Sequence, residues 1–280
     1  MSTPTGTPET EATASDAVAA APSDTAAPGR TGRIARYLPG RREALFLLGG
    51  SVLGASFAGG AWGATAVSAG AADSAAQRTD DDKLTSRQAL ARLAAGNARF
   101  VSGTAVHPDQ SVDRRKALRE GQHPFAAVLA CADSRVAPEL LFDQGLGDLF
   151  VVRSAGQVVD HAVLGSLQYG VGELETPLLV VLGHSRCGAV KATVEAIEKH
   201  SKPTGTDVDA LVAAIRPAVE EAEELGASEK TLLSVSIDMN VERVVEHLKS
   251  TPVLAAAAKL RKVKIVGATY DVATGEVEWL

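Results

Sequence analysis

The run Pro177-Leu178-Leu179-Val180-Val181-Leu182-Gly183 contains no polar side chain. A strand formed there is apolar on both faces, because successive side chains point to opposite sides. Both faces must then be covered, which is the situation in parallel sheets sandwiched between helices. Two further runs repeat the pattern: Phe125 to Cys131 and Leu149 to Arg153 are of strand length, and helix-like segments separate them. Strands alternating with helical patterns point to an α/β domain.

The rest of the pattern fills in that frame. Thr85-Ser86-Arg87-Gln88 fits a capping box, and Leu90, Leu93, Ala94, Asn97 and Phe100 recur at helical spacing, so a helix over 85–102 is expected as an amino-terminal arm. Further helices are expected at 112–120, 136–144, 159–174, 186–199, 207–225 and 229–249. The chain should close with strands at 262–270 and 276–280, joined by the turn Ala273-Thr274-Gly275. The expected fold is α/β, a mostly parallel central sheet flanked by helices, in one domain spanning 80–280.

The two cysteines of the chain fall where apolar runs end. Cys131-Ala132-Asp133-Ser134-Arg135 follows one strand, and His184-Ser185-Arg186-Cys187-Gly188 follows another. In an extended exit Cys131, Asp133 and Arg135 share a face. In the first turn of a helix His184 and Cys187 share one too. Both segments lie past carboxyl ends of strands, where open α/β sheets place their sites. Two thiolates, an imidazole and a carboxylate can therefore converge, a donor set that suits zinc.

Two cysteines can pair in a disulfide, as they usually do in an exported chain. A zinc ion with four protein ligands is structural, whereas one with an open position is catalytic. Asp133 decides between those states, since Arg135 can draw its carboxylate off the metal. Gly188 opens a helix that can hold an anion, which suggests a nucleotide site, but the glycine spacing around it is poor for one. The chain has 280 residues, a formal charge of −6 and 4% aromatics. Those values argue against nucleic-acid binding, which needs phosphate neutralisation or base stacking.

Cys-x-Asp-Ser-Arg followed by Gly-His-Ser-x-Cys-Gly-Ala resembles the β-class carbonic anhydrases. The likeness extends over about 84–280 through Gly96-Asn97-x-Arg99-Phe100, Gly147 to Arg153 and Gly267 to Gly275. The resemblance implies one zinc ion per chain, held by Cys131, His184 and Cys187, with Asp133 as fourth ligand in a closed state and Arg135 as the partner that opens it. It implies catalysis through Asp133 and Arg135, and substrate contacts from Gln122, Phe150, Tyr169 and Gly188. It also implies reversible CO2 hydration by a homodimer or larger homo-oligomer, with hydrolysis of COS or CS2 as the related alternative and a non-catalytic zinc- or disulfide-held module as the rival. Where the family often has Asn-Ala-Gly-Asn, this chain has Ser154-Ala155-Gly156-Gln157. Val128 stands where one branch carries the tryptophan of a regulatory bicarbonate site, so no such site is expected.

Ahead of the domain, residues 1–40 are rich in Ala, Thr, Pro, Ser and Gly and end in Arg30, Arg33 and Arg36, a composition expected to be disordered. Arg41-Arg42 and, after Glu43, an uncharged, glycine-rich stretch to Ala72 then resemble a twin-arginine export signal, with Ala69-Gly70-Ala71 as a small-x-small exit. The expectation is an exported protein, with a retained membrane anchor as the alternative for 41–72 and a cytoplasmic location if the signal is not used.

Overall fold

The computed structural model describes residues 83–280. The expected leader and export signal, at 1–40 and 41–72, lie outside the described residues. Among these residues no helix is long and apolar enough to cross a membrane.

The described residues open with helix α1 (Ser86–Val101), followed by the short α2 (Val112–Ala117). Strand β1 (Ala126–Cys131), the single turn α3 (Pro138–Leu141), strand β2 (Leu149–Ser154) and helix α4 (His161–Gly172) come next. Strand β3 (Leu178–His184) leads into α5 (Gly188–Glu198), α6 (Val208–Glu224), α7 (Leu232–Ser250) and α8 (Pro252–Lys259). Strands β4 (Lys264–Tyr270) and β5 (Val277–Trp279) complete the fold.

The sheet runs β2-β1-β3-β4-β5, and only β5 is antiparallel. Every residue of β1 and β3 is buried, as their unbroken apolar sequences require. One layer of core, including Val128, Ala130, Val180 and Leu182, meets α1 through Ala89 and Leu93. The other, including Ala127, Leu129, Leu179 and Val181, meets α4 and α7 through Leu167, Val241, Val245 and Leu248.

The amino-terminal arm is fixed at both ends of its sequence signal. Thr85 makes the expected capping box with Gln88, a device contributing about 1 kcal/mol. Further along, a Cβ on Gly96 would sit 1.7 Å from the Phe142 carbonyl oxygen, so only glycine lets α1 approach there. Asn97 then donates to the Leu141 and Gly275 carbonyls and accepts from the Val277 N–H, joining α1, α3 and β5.

Three expectations need correction. The helix expected over 136–144 is one turn, because Pro138 sets its first residue and Asp143 leaves the helical region with φ 46°. Helix α8 was not expected; it restarts at Pro252 immediately after α7, where proline suits a first helical position. His184 and Cys187 do not share the first turn of a helix. His184 ends β3, Arg186 reverses the chain at φ 57°, and α5 begins only at Gly188.

Candidate metal centre

The carboxyl ends of β1 and β3 are neighbours in the sheet, so Cys131 and His184 arrive side by side. The turn at Arg186 swings Cys187 back toward them. One donor atom each from Cys131, His184 and Cys187 lies within 4.8 Å of the others, and all three residues are buried. Both cysteines are free thiols, so the disulfide alternative is not the arrangement of this fold.

Each donor is oriented by its surroundings. His184 Nδ1 lies 3.0 Å from the Ser185 carbonyl oxygen, a bond that places the ring proton on Nδ1 and leaves the Nε2 lone pair free. Nε2 is buried and has no hydrogen-bond partner among the described residues. Such an orphaned acceptor in an interior is costly unless something else fills its place. The Cys131 sulfur accepts from the Gly156 N–H at 3.3 Å and the Asp133 N–H at 3.5 Å. The N–H groups of Ala189 and Val190, in the first turn of α5, face the Cys187 sulfur.

The two thiols share their protons. Cys131 is pushed well below the ordinary thiol range, chiefly by the hydrogen bond from Cys187 and further by the N–H groups of Asp133 and Gly156, against the effect of burial. Cys187 is pushed up by the same partnership and by burial. The pair therefore gives up its first proton more easily than its second. Two sulfurs and one imidazole nitrogen, with the remaining imidazole nitrogen already anchored, fit a zinc ion in donor type and number.

Asp133 sits at the rim of this cluster, its Oδ2 3.9 Å from His184 Nε2. The exit from β1 is not the extended face expected from alternation. Strand pairing stops at Cys131, and Asp133 folds its side chain back to accept the Arg135 N–H at 2.9 Å in an Asx turn. The Arg135 guanidinium then grips both carboxylate oxygens, Nε to Oδ1 at 2.9 Å and a terminal nitrogen to Oδ2 at 2.7 Å. That side-chain contact, above all, holds the Asp133 carboxyl far below the usual range. Arg135 also reaches the Arg186 carbonyl at 3.4 Å, bridging the two donor turns.

Two supporting residues escaped sequence reasoning. Arg153 donates to the Cys131 carbonyl at 3.0 Å and to the Asp133 carbonyl at 2.6 Å, clamping the turn that carries both. Gly156 supplies an N–H to sulfur from a left-handed conformation, with φ 62°. Backbone donors leave no mark in a sequence beyond the glycine itself.

Of the other expected site residues, Gly188 lies beside the cluster and the rest do not. Gly188 adjoins Cys187, and a Cβ there would meet nothing within 4 Å, so the space above it is open. Gln122 is exposed in the loop before β1, at the opposite end of the strand from Cys131. Five steps of a strand separate those ends by about 17 Å. Phe150 pairs in register with Ala127 rather than with Cys131, and its ring lies 6.1 Å from that of Tyr169, which is 49% exposed. Within one chain Gln122, Phe150 and Tyr169 are thus not brought to the donor cluster. His161 begins α4 as an exposed residue, without a place in the site.

A helix-flanked, mostly parallel sheet with a buried Cys-His-Cys cluster at the carboxyl ends of two adjacent interior strands defines an α/β protein of the enzyme type, built to present a few donors beyond the strand ends. The family model described as carbonic anhydrase matches residues 126–277, and the chain belongs to that family, in its β class. A carbonic anhydrase of Mycolicibacterium smegmatis is 46% identical over 185 residues, covering 65% of this chain and 87% of that protein. Carbonic anhydrase 2 of Mycobacterium tuberculosis is 55% identical over 127 residues, 45% of this chain and 61% of that one. A solved structure of a tetrameric β-carbonic anhydrase from Sordaria macrospora superposes with a TM-score of 0.55 at 25% identity, covering 68% of this chain and 95% of that one. The chain is a carbonic anhydrase, and carbon dioxide and bicarbonate are the substrates that fit it.

Proposed function

We propose that this carbonic anhydrase works with one zinc ion per chain, held by Cys131, His184 and Cys187, and hydrates CO2 reversibly to bicarbonate and a proton. The observation that carries the reading is the orphaned Nε2 of His184, buried beside two buried thiols while Arg135 keeps Asp133 turned aside. That arrangement supplies three firm donors and leaves a fourth position for substrate water. When bound, zinc acts as a Lewis acid that lowers the pKa of a water, carbonic anhydrase being the type case of this chemistry.

The chain's own residues do the rest. Asp133, ionised and at the rim, accepts a hydrogen bond from the attacking oxygen and turns its lone pair toward carbon. Arg135 keeps that carboxylate ionised and off the donor cluster. The open space above Gly188 gives the small substrate room beside Cys187. Two thiolates cancel the metal's formal charge, so activation of water is weaker than at an all-histidine site. Activity therefore rises toward alkaline pH.

Gln122, Phe150 and Tyr169 contact substrate only if a second copy of the chain presents them, given their distance from the cluster in their own chain. Support comes from β2, an edge strand of the sheet that carries the half-buried Phe150 next to the exposed Tyr169. We infer a homodimer or larger assembly on that ground, and export directed by residues 41–72 on the ground of their sequence.

Stopped-flow CO2 hydration by the zinc-loaded full chain, beside a Cys187→Ala variant, tests the proposal. Rapid turnover that disappears with Cys187 is expected. Turnover of COS in preference to CO2 would move the assignment to the related hydrolase chemistry. Full activity without zinc, or in the Cys187→Ala variant, would overturn it.

A further inference from the structure

Helix α7 packs behind the donor cluster, and most of its inward residues are apolar: Ile237, Met239, Val241, Val245 and Leu248 are all buried. Asn240 breaks that pattern. It is 3% exposed, in the middle of the helix, where an amide has poorer helix propensity than leucine or methionine and costs more to bury. Its Nδ2 donates at 2.9 Å to the carbonyl of Gly156, a residue 84 positions away in the chain. Gly156 is the residue whose N–H donates to the Cys131 sulfur at 3.3 Å.

Gly156 is confined from its other sides as well. A Cβ on it would come within 2.7 Å of Ile215 Cδ1 and 3.2 Å of Ala189 Cβ, so α5 and α6 press against it. Packing confines the glycine in space but cannot set the direction of its peptide groups, because glycine tolerates many φ/ψ combinations. The bond from Asn240 sets that direction by tying down the carbonyl. The N–H on the other side of the same α-carbon is then held on sulfur.

We propose that Asn240 is a positioning residue of the metal centre: through Gly156 it holds a hydrogen-bond donor on the Cys131 thiolate. Such a donor withdraws charge from sulfur, so less is given to the metal, and a two-thiolate centre keeps more of its Lewis acidity. The proposal rests on the reading of Cys131, His184 and Cys187 as metal ligands. Partners that orient ligands from outside the coordination sphere typically change metal affinity by about 10- to 100-fold when removed.

Cobalt(II) loaded into the full chain in place of zinc reads the effect directly, through its thiolate-to-metal charge-transfer band. Asn240→Leu keeps the side-chain volume and removes the donor, and Asn240→Asp keeps the shape while placing a carboxylate against the Gly156 carbonyl. Both are expected to shift the band to lower energy, since the Cys131 sulfur then gives more charge to the metal, and to change cobalt affinity by roughly 10- to 100-fold. Leu248→Ala, a buried position at the far end of α7, is expected to lower the melting temperature without moving the band. Cadmium-113 in the wild-type chain gives a test without any variant: the Gly156 amide proton should show scalar coupling to the metal through the N–H···S bond. A wild type that binds neither ion would refute the metal reading and the proposal with it. A band that Asn240→Leu leaves in place, or a Gly156 amide with no coupling, would refute the proposal alone.

Discussion

Gly183 immediately precedes His184, and a Cβ built there would lie 2.5 Å from Val241 Cγ2 on α7. Carbon atoms pack best at about 3.5 to 4.0 Å, so Gly183→Ala forces β3 and α7 apart by about 1 Å. Both elements are buried and close-packed, and overfilling of this kind costs roughly 1 to 3 kcal/mol. For a domain of this size each kcal/mol lowers Tm by about 2 to 4 °C, giving a loss of roughly 2 to 12 °C. The displaced strand end carries His184, and a misplacement of about 1 Å at a catalytic group can cost about 100-fold in rate. Thermal unfolding of the metal-free protein, together with stopped-flow CO2 hydration at saturating zinc, separates the two effects. The companion Val241→Ala removes the atom struck by the new methyl. The double variant should therefore be more stable than the sum of the single losses by at least about 0.5 kcal/mol. Strictly additive losses, or a Gly183→Ala protein with wild-type Tm and rate, would refute the claim that this contact sets the position of His184.

Asp133→Asn keeps the shape of the side chain but weakens its hold on Arg135 and on the attacking oxygen; kcat/KM should fall by about 100-fold or more with zinc content unchanged, measured by stopped flow and metal analysis. Because the folded carboxyl of Asp133 is held below its unfolded value, its contribution to stability is fully present above about pH 4, the unfolded range, and is lost as pH falls through the lower folded value. The Tm difference between wild type and Asp133→Asn should accordingly be constant from pH 5 to 8 and shrink in stronger acid; a difference that vanishes near neutrality would contradict this. The pH–rate profile of the wild type should climb toward alkaline pH, and a flat profile would remove the proposed water activation. Asn97→Ala leaves two carbonyls and one N–H without their partner, at about 1 kcal/mol each, so a Tm loss of roughly 6 to 12 °C is expected by calorimetry.

The sheet was legible in the sequence because its central strands are covered on both faces, and a chain can write that only as unbroken apolar runs such as Leu178 to Leu182. The donors were legible for a different reason: cysteine and histidine are few, and their chemistry at strand ends has few uses. Distances between turns were harder to read. His184 and Cys187 were expected to share a helical face, yet a left-handed Arg186 does the work that helical spacing was assumed to do. Asp133 and Arg135 were expected to pair across an extended segment and meet instead through an Asx turn. Arg153, Gly156 and Asn240 carry no local pattern at all, since their partners are backbone atoms brought close only by tertiary packing. Gln122, Phe150 and Tyr169 were named from family likeness, and the single chain places Gln122 at the far end of β1 and the two rings against each other beside an edge strand.

The proposed activity depends on what binds at Cys131, His184 and Cys187. X-ray absorption at the zinc edge of the full chain, with metal content measured on the same sample, reads this directly. One zinc per chain is expected, with two sulfurs at about 2.3 Å, one nitrogen at about 2.0 to 2.1 Å and one further light atom completing a tetrahedron. A shell without sulfur, or a chain that takes up no zinc while both thiols remain free, would contradict it.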